Sequence, residues 1–327
     1  MVRALEERGH RCTLFLYDTN SDDVERHEPV IRSYWPDMKA EIRSARPSIG
    51  GVDAVVASAW ASAHVAERRT DAQVPRFYFI QDYEPYFYPR GYLYELAQDS
   101  YSLGFTHIAL GEMVRKSLVH ELSLEPATTI PFGCDTDMYG LLKADGAAAT
   151  PTAARGGVVL YAKTDVHRRG YLLAKAGLEL FHQMHPEQEI HVVGDHVTGW
   201  RIPVTAHGSL RPQELNALYN RCSAGLALSF TNISLAAEEL MAAGCVPVVN
   251  DSDLAKADLA SPGVLWARAT PTGIAGALAR IVEHPHPELQ AREVAALPRK
   301  GWGISQQRFS SFIESSLTAA RVNSWTV

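Results

Sequence analysis

Four basic residues, Lys163, His167, Arg168 and Arg169, crowd a short stretch between the apolar run VVLYA and the helix-like segment YLLAKAGLELFHQM. At the end of a strand, such cations can neutralise a diphosphate, with Arg as a fixed bidentate fork and Lys as a point charge. The same cluster also reads as a solvated basic turn. Downstream, Glu238 and Glu239 fall in the first turns of the apolar segment SLAAEELMAAG, behind Ser234 as N-cap. Carboxylates there complement the helix dipole, or one of them grips a ribose diol by accepting two hydroxyl hydrogens. A third group lies in QDYEPYFYPR, where Asp82, Glu84, three tyrosines and Arg90 fit a carbohydrate site or a tyrosine-rich loop packed on the domain edge.

These side chains need a scaffold, and the sequence alternates between strand and helix patterns. In the first part, residues 2–8 read as the tail of a helix stopped at Gly9, followed by a strand pattern from Cys12 to Asp18. Residues 36–46 are expected to be helical, with Pro36 in the first turn. Strands are expected at Ala54–Ala57 and Arg76–Ile80, and helices at 61–69 and 113–122. Asp18 and Asp82 both end apolar strands, where polar groups line the ligand crevice of an open sheet. A doubly wound domain normally opens on a strand, yet this pattern opens inside a helix. The expectation is that a first strand belongs in front of it.

The segment 144–157, ADGAAATPTAARGG, has almost no large apolar residue and reads as a linker. It separates an N-terminal domain at 1–143 from a C-terminal domain at 158–301. Strands at 158–163, 189–195, 203–210, 224–230 and 245–250 alternate there with helices at 171–184, 211–222, 234–244 and 270–284. A final helix begins at Trp302; its length suits packing back across the junction.

Composition narrows the classes. The chain has 327 residues, 46% hydrophobic and 21% charged, which suits two globular domains. Thirty-one basic against 37 acidic residues give a net charge of −6, which argues against a nucleic-acid partner. Cys12, Cys134, Cys222 and Cys245 form no CxxC pair and read as buried free thiols, in keeping with a cytoplasmic setting. No His or Cys spacing suits a metal, and no run reaches a membrane span, although peripheral association at the inner membrane face stays open. GxGxxG and GxxxxGK[ST] are both missing, so dehydrogenase and Walker-type readings lose their usual support.

The segment HGSLRPQELNALYNRCSAGLALSFTNISLAAEELMAAGCVPVVN resembles the donor-binding core of family four retaining glycosyltransferases, with ELMAAGCVPVV as the closest stretch. RALEERGHRCTLFLYD is similar to the first helix and second strand of such enzymes. FYFIQDYEPYFYPRGYLYELAQDSYSLGFTHIALGE resembles the bacterial rhamnosyltransferase subgroup of surface-polysaccharide assembly, which uses dTDP-rhamnose. The resemblance implies the GT-B fold: α/β, two Rossmann-like doubly wound domains facing a cleft. It implies transfer of a sugar, with retention, from a dTDP-sugar or another nucleoside diphosphate sugar to a glycan or lipid-linked glycan, with no further cofactor.

By that resemblance, Glu239 holds the ribose, Lys163, Arg168 and Arg169 face the diphosphate, and Gly208, Ser209 and Leu210 lie near the base. The chain departs from the pattern at three places. Thr231 stands eight positions before Glu239 where the wider family has a second glutamate near the sugar, so the sugar contacts pass to Thr231, Asn232, Ile233 and Ser234. Gln81 replaces a frequent histidine, and Lys163 a frequent arginine. Asp82 and Glu84 are the candidate acceptor contacts. A nucleotide-sugar epimerase of the same fold, and a noncatalytic carbohydrate-binding or assembly protein, are the competing readings.

Overall fold

A computed structural model describes residues 1–17, 22–142, 155–233 and 235–324. Asp18, Ser234 and most of the expected linker lie outside the described residues. The chain divides into two compact units, Met1–Phe132 with Trp302–Val327, and Gly133–Gly301.

The first unit opens with helix α1 (Val2–Glu7), strand β1 (Thr13–Leu16), helix α2 (Val24–Tyr34) and strand β2 (Glu41–Ser44). Asp23 caps α2 by accepting the N–H of Arg26 at 3.1 Å. The helix expected at 36–46 is not there: its centre is β2, paired in parallel with β1. Ala40 and Ile42 are buried while Glu41 is exposed, a period of two that governs this segment better than any helical stripe.

The unit continues through β3 (Val55–Ala57), α3 (Trp60–Arg69), β4 (Arg76–Ile80), α4 (Tyr92–Asp99), β5 (Thr106–Leu110), α5 (Glu112–Leu122) and β6 (Thr128–Ile130). Strands β3 to β6 form a four-stranded parallel sheet in sequence order, and β1 and β2 form a separate two-stranded one. Side chains of β4 alternate between two cores. Tyr78 and Ile80 face a cluster with Ala63, Tyr101 and Leu118, and Phe77 and Phe79 face one with Phe309 and Ile313. The last two belong to the C-terminal helix (Trp302–Ser324), which therefore packs on the sheet of the first unit. Glu314 of that helix accepts hydrogen bonds from Arg8 and pairs with His10 at 2.9 Å, tying it to the end of α1. Those partners hold its carboxyl down at about 2.

The second unit begins at Gly133, ten residues before the boundary expected at 143. The reason is hydrogen bonding: Cys134 N–H donates to Lys300 at 2.8 Å, and Gly140 exchanges bonds with Asn216 and Asn220. Its elements are β7 (Val158–Ala162), α6 (Tyr171–Met184), β8 (Ile190–Gly194), β9 (Thr205–Gly208), α7 (Pro212–Arg221) and β10 (Ala224–Leu226). They continue with α8 (Leu235–Ala242), β11 (Val246–Asn250), α9 (Asp253–Asp258), β12 (Leu265–Ala267), α10 (Pro271–Val282) and α11 (Pro287–Ala296). The six strands are all parallel, in the order β12-β11-β10-β7-β8-β9. This is the doubly wound order, and the chain reverses its direction of winding between β7 and β10. The strands read as continuous apolar runs because helices cover both faces.

Among the described residues no helix is long and apolar enough to cross a membrane.

Candidate functional site

In an open parallel sheet, ligands bind beyond the carboxyl ends of the strands where the winding reverses. In the second unit that point is the gap between β7 and β10. Lys163 directly follows β7, and a short turn at His167–Arg169 leads into α6. Arg169 donates to the Ser229 hydroxyl at 2.7 Å, and the Phe230 N–H donates to the carbonyl of Arg168 at 3.0 Å. The loop after β7 is thereby stitched to the loop after β10. Ser229 is itself fixed, since its N–H donates to Asn250 at the end of β11 at 2.8 Å and its hydroxyl lies 3.4 Å from Asn232. Gly170 supplies the bend into α6 with φ of +63°, and a Cβ there would meet the Phe230 ring at 2.9 Å.

Lys163 sits 3.5 Å from Asp195, which follows β8, and 5.3 Å above the ring of Tyr161. Asp195 also accepts from the Thr164 N–H at 2.8 Å, and this bond, more than the lysine, holds its carboxyl below the usual carboxylate range. Three strand ends, of β7, β8 and β10, are thus drawn together around two cations.

Glu239 lies on α8. Burial, with a further contribution from the charge of Asp135, pushes its carboxyl up to about 7. Around it stand Tyr139 and Tyr219, whose rings stack 6.2 Å apart, and Cys134. Burial raises the ionisation of all three, and the Glu239 charge is the next cause in each case. Tyr139 and Tyr219 also feel Tyr161, so the acidic pocket and the Lys163 cluster adjoin through that ring.

The remaining residues singled out in the sequence divide by place. Gly208, at the end of β9, and Ser209 are exposed and Leu210 half-buried, on the same edge of the sheet as Lys163 and Asp195. Thr231 is buried and Asn232 half-buried in the loop that carries Ser229. Asp82 and Glu84 belong to the first unit and are both buried. Glu84 accepts from the Trp60 N–H, at the start of α3, and from the Tyr78 hydroxyl at 3.2 Å, while its own N–H donates to Tyr101. These bonds occupy it inside the fold, at a helix start and not on a sugar-facing surface. The tyrosines are corrected similarly: Tyr83 and Tyr101 stack 5.7 Å apart and are almost fully buried, as core rather than platform. Tyr88, half-buried, accepts from the Trp60 indole at 3.1 Å.

Four participants escaped the sequence reading: Ser229, Asn250, Asp195 and Asp135. Asp195 alone had a signal, as the polar residue closing the strand pattern EIHVVGD. Among the described residues no three His, Cys, Asp or Glu side chains are grouped to hold a metal.

Comparison with known proteins follows this geometry. The family described as WsaF, C-terminal domain, matches residues 157–279. The O-antigen biosynthesis protein RfbC of Myxococcus xanthus is 30% identical over 278 residues, which is 81% of this chain and 21% of that protein. The chain thus spans about a fifth of the length of the curated relative it matches. The structure of Anabaena Alr3699/HepE in complex with UDP and glucose superposes with a TM-score of 0.71 at 13% identity, over 94% of this chain and 100% of that one. The α,α-trehalose 6-phosphate synthase of Burkholderia multivorans superposes with a TM-score of 0.57 at 13% identity, over 83% of this chain and 72% of that one. Both units are Rossmann-like α/β domains, and the chain has the GT-B fold.

Proposed function

We propose that this chain is a glycosyltransferase that binds a nucleoside diphosphate sugar on its second unit and passes the sugar to a glycan or lipid-linked glycan acceptor. The observation that carries the reading is the stitch between Arg169 and Ser229 at the winding reversal, with Lys163 beside it. Two cations held there suit a diphosphate that gains charge as it leaves. Lys163, Arg168 and Arg169 take the diphosphate, Glu239 the ribose, and Gly208, Ser209 and Leu210 the base. Thr231, Asn232 and Ser234 contact the transferred sugar, and Asp82 serves the acceptor.

Breaking the bond between the anomeric carbon and the diphosphate oxygen leaves positive charge on the sugar ring and negative charge on the leaving group. The basic residues stabilise that second charge more as the bond lengthens, which is binding spent on the transition state. UDP in the HepE structure supports a nucleoside diphosphate as the ligand class, and the RfbC likeness supports an acceptor in surface-polysaccharide assembly. Rhamnose as the sugar, thymidine as the base and retention at the anomeric carbon are the finer reading, carried by the subgroup resemblance in residues 77–112.

The test is a donor screen with thymidine, uridine, guanosine and adenosine diphosphate sugars, read by binding and by product. A glycoside with the donor's anomeric configuration supports the reading. An epimerised free donor without glycoside would move the chain to the epimerases of this fold, and binding of sugar without nucleotide would remove the proposal.

A further inference from the structure

The first unit has two open sheet edges that flank one core. Strand β1 pairs with β2 on one side, and β3 pairs with β4 on the other side. Phe15 of β1 nevertheless packs on the same apolar cluster as Val55 and Ala57 of β3. Tyr17, just past β1, shares a hydrogen bond with Ser62 in the first turn of α3. The ends of the two edges are therefore neighbours without being paired.

Burial tells the same story. Interior parallel strands are covered on both faces, as β5 is over Ile108 to Leu110. All four residues of β1 are only half-buried, and Val56 of β3 is 38% exposed. The second unit gives the pattern for comparison: β9-β8 and β10-β11-β12 flank the central strand β7. The first unit shows β2-β1 and β3-β4-β5-β6, with no strand in the corresponding central place.

We infer that this place takes one further apolar strand, parallel to β1 and β3, formed by the polypeptide directly preceding α1. The connection rule selects that occupant. Met1 and Leu5 lie on the Phe77 and Phe79 face of the sheet, so α1 covers that face. A strand feeding α1, which in turn feeds β1, lands beside β1 when the crossover is right-handed, as parallel crossovers almost always are. Two open edges around one core are a property of the sheet, whatever the position of the first residue.

The hydrogen bonding fixes which amides the strand meets. Cys12 and Leu16 offer their carbonyls to β2, so the alternate residues Thr13 and Phe15 direct their backbone groups into the gap. Val55 donates to Pro75 on the β4 side, so Val56 directs its groups into the gap from the other edge.

The experiment compares amide hydrogen exchange in residues 1–327 with the same chain extended by the codons directly upstream. The expected result is an apolar run of about four to eight residues upstream. With it, exchange at Phe15 and Val56 slows by about tenfold or more, while the already paired Val55 changes little. Val56→Pro in the extended chain removes the N–H facing the gap and should reverse the slowing at Phe15, with exchange at Ala109 in β5 reporting that the fold persists. Equal exchange at Phe15 and Val56 in the two chains, or an upstream sequence with no apolar run, overturns the inference. Slowing in residues 1–327 that grows with protein concentration also overturns it, because a second copy would then be the occupant.

Discussion

The guanidinium of Arg169 and the hydroxyl of Ser229 meet at 2.7 Å although sixty positions separate them in the chain. One residue follows β7 and the other follows β10, so this bond closes the point where the sheet changes its winding. It also orients the arginine fork before any ligand arrives, which reduces the ordering cost of binding. Arg169→Ala is expected to weaken nucleoside diphosphate binding roughly ten- to hundredfold, the range for a lost hydrogen bond to a charged group. Ser229→Ala keeps the charge and loosens the fork, so a smaller loss is expected, about three- to tenfold. Calorimetry with the diphosphate and with the free nucleoside checks both, because the nucleoside should be almost unaffected.

Glu239 makes donor binding depend on pH. A carboxylate accepts two ribose hydroxyls only when ionised, and its carboxyl is pushed up to about 7 by burial and Asp135. Donor affinity should therefore rise as pH passes upward through about 7, since the diphosphate of a nucleotide sugar does not titrate there. Folding stability should move the opposite way. A carboxyl with a raised folded value stabilises the protonated fold, so that contribution is complete below the ordinary carboxyl range and lost as pH rises through about 7. Glu239→Gln should flatten both profiles and weaken donor binding above neutral pH. Binding curves and melting temperatures between about pH 5 and pH 8 give the measurement.

What was legible in the sequence was local. Strand β4 and helix α6 occupy the residues their patterns indicate, because a buried apolar run and a long apolar stripe each declare a period. The 36–46 segment misled because Pro36 suggests a helix start while pairing with β1 decides the outcome. The tyrosines of 83–101 were ambiguous for a related reason. A tyrosine suits a sugar face or a core stack equally well, and only the fold brings Tyr78, Tyr83 and Tyr101 together. At the site, the cation cluster was visible as a run of residue types. Its partners Ser229, Asn250 and Asp195 were not, since each arrives from a different strand end.

Glu84 should prove to be a residue of stability. Its buried carboxylate receives the first N–H of α3 and the Tyr78 hydroxyl, so Glu84→Ala strands two buried donors. The expected cost is roughly 2–4 kcal/mol. Glu84→Gln retains an acceptor oxygen and should recover much of that loss. Denaturant unfolding checks the order of the three proteins, and donor affinity of the folded variants should stay near that of the parent chain.

Gly194 connects a backbone requirement to the cation site. It ends β8 with φ of +107°, a conformation L side chains rarely adopt, and a Cβ there would stand 2.4 Å from the Ala162 carbonyl oxygen. That carbonyl also accepts the Asp195 N–H at 3.1 Å, so the contact cannot relax without moving the β7 end away from the β8 end. Gly194→Ala should therefore cost more than the roughly 1 kcal/mol of an ordinary glycine replacement, on the order of 3 kcal/mol. The shift would also carry Asp195 away from Thr164 and Lys163, which depend on it for position. The variant is expected to lose diphosphate affinity as well as stability. A lowered midpoint of unfolding with unchanged diphosphate binding would show that Lys163 is held by something other than the β7–β8 contact.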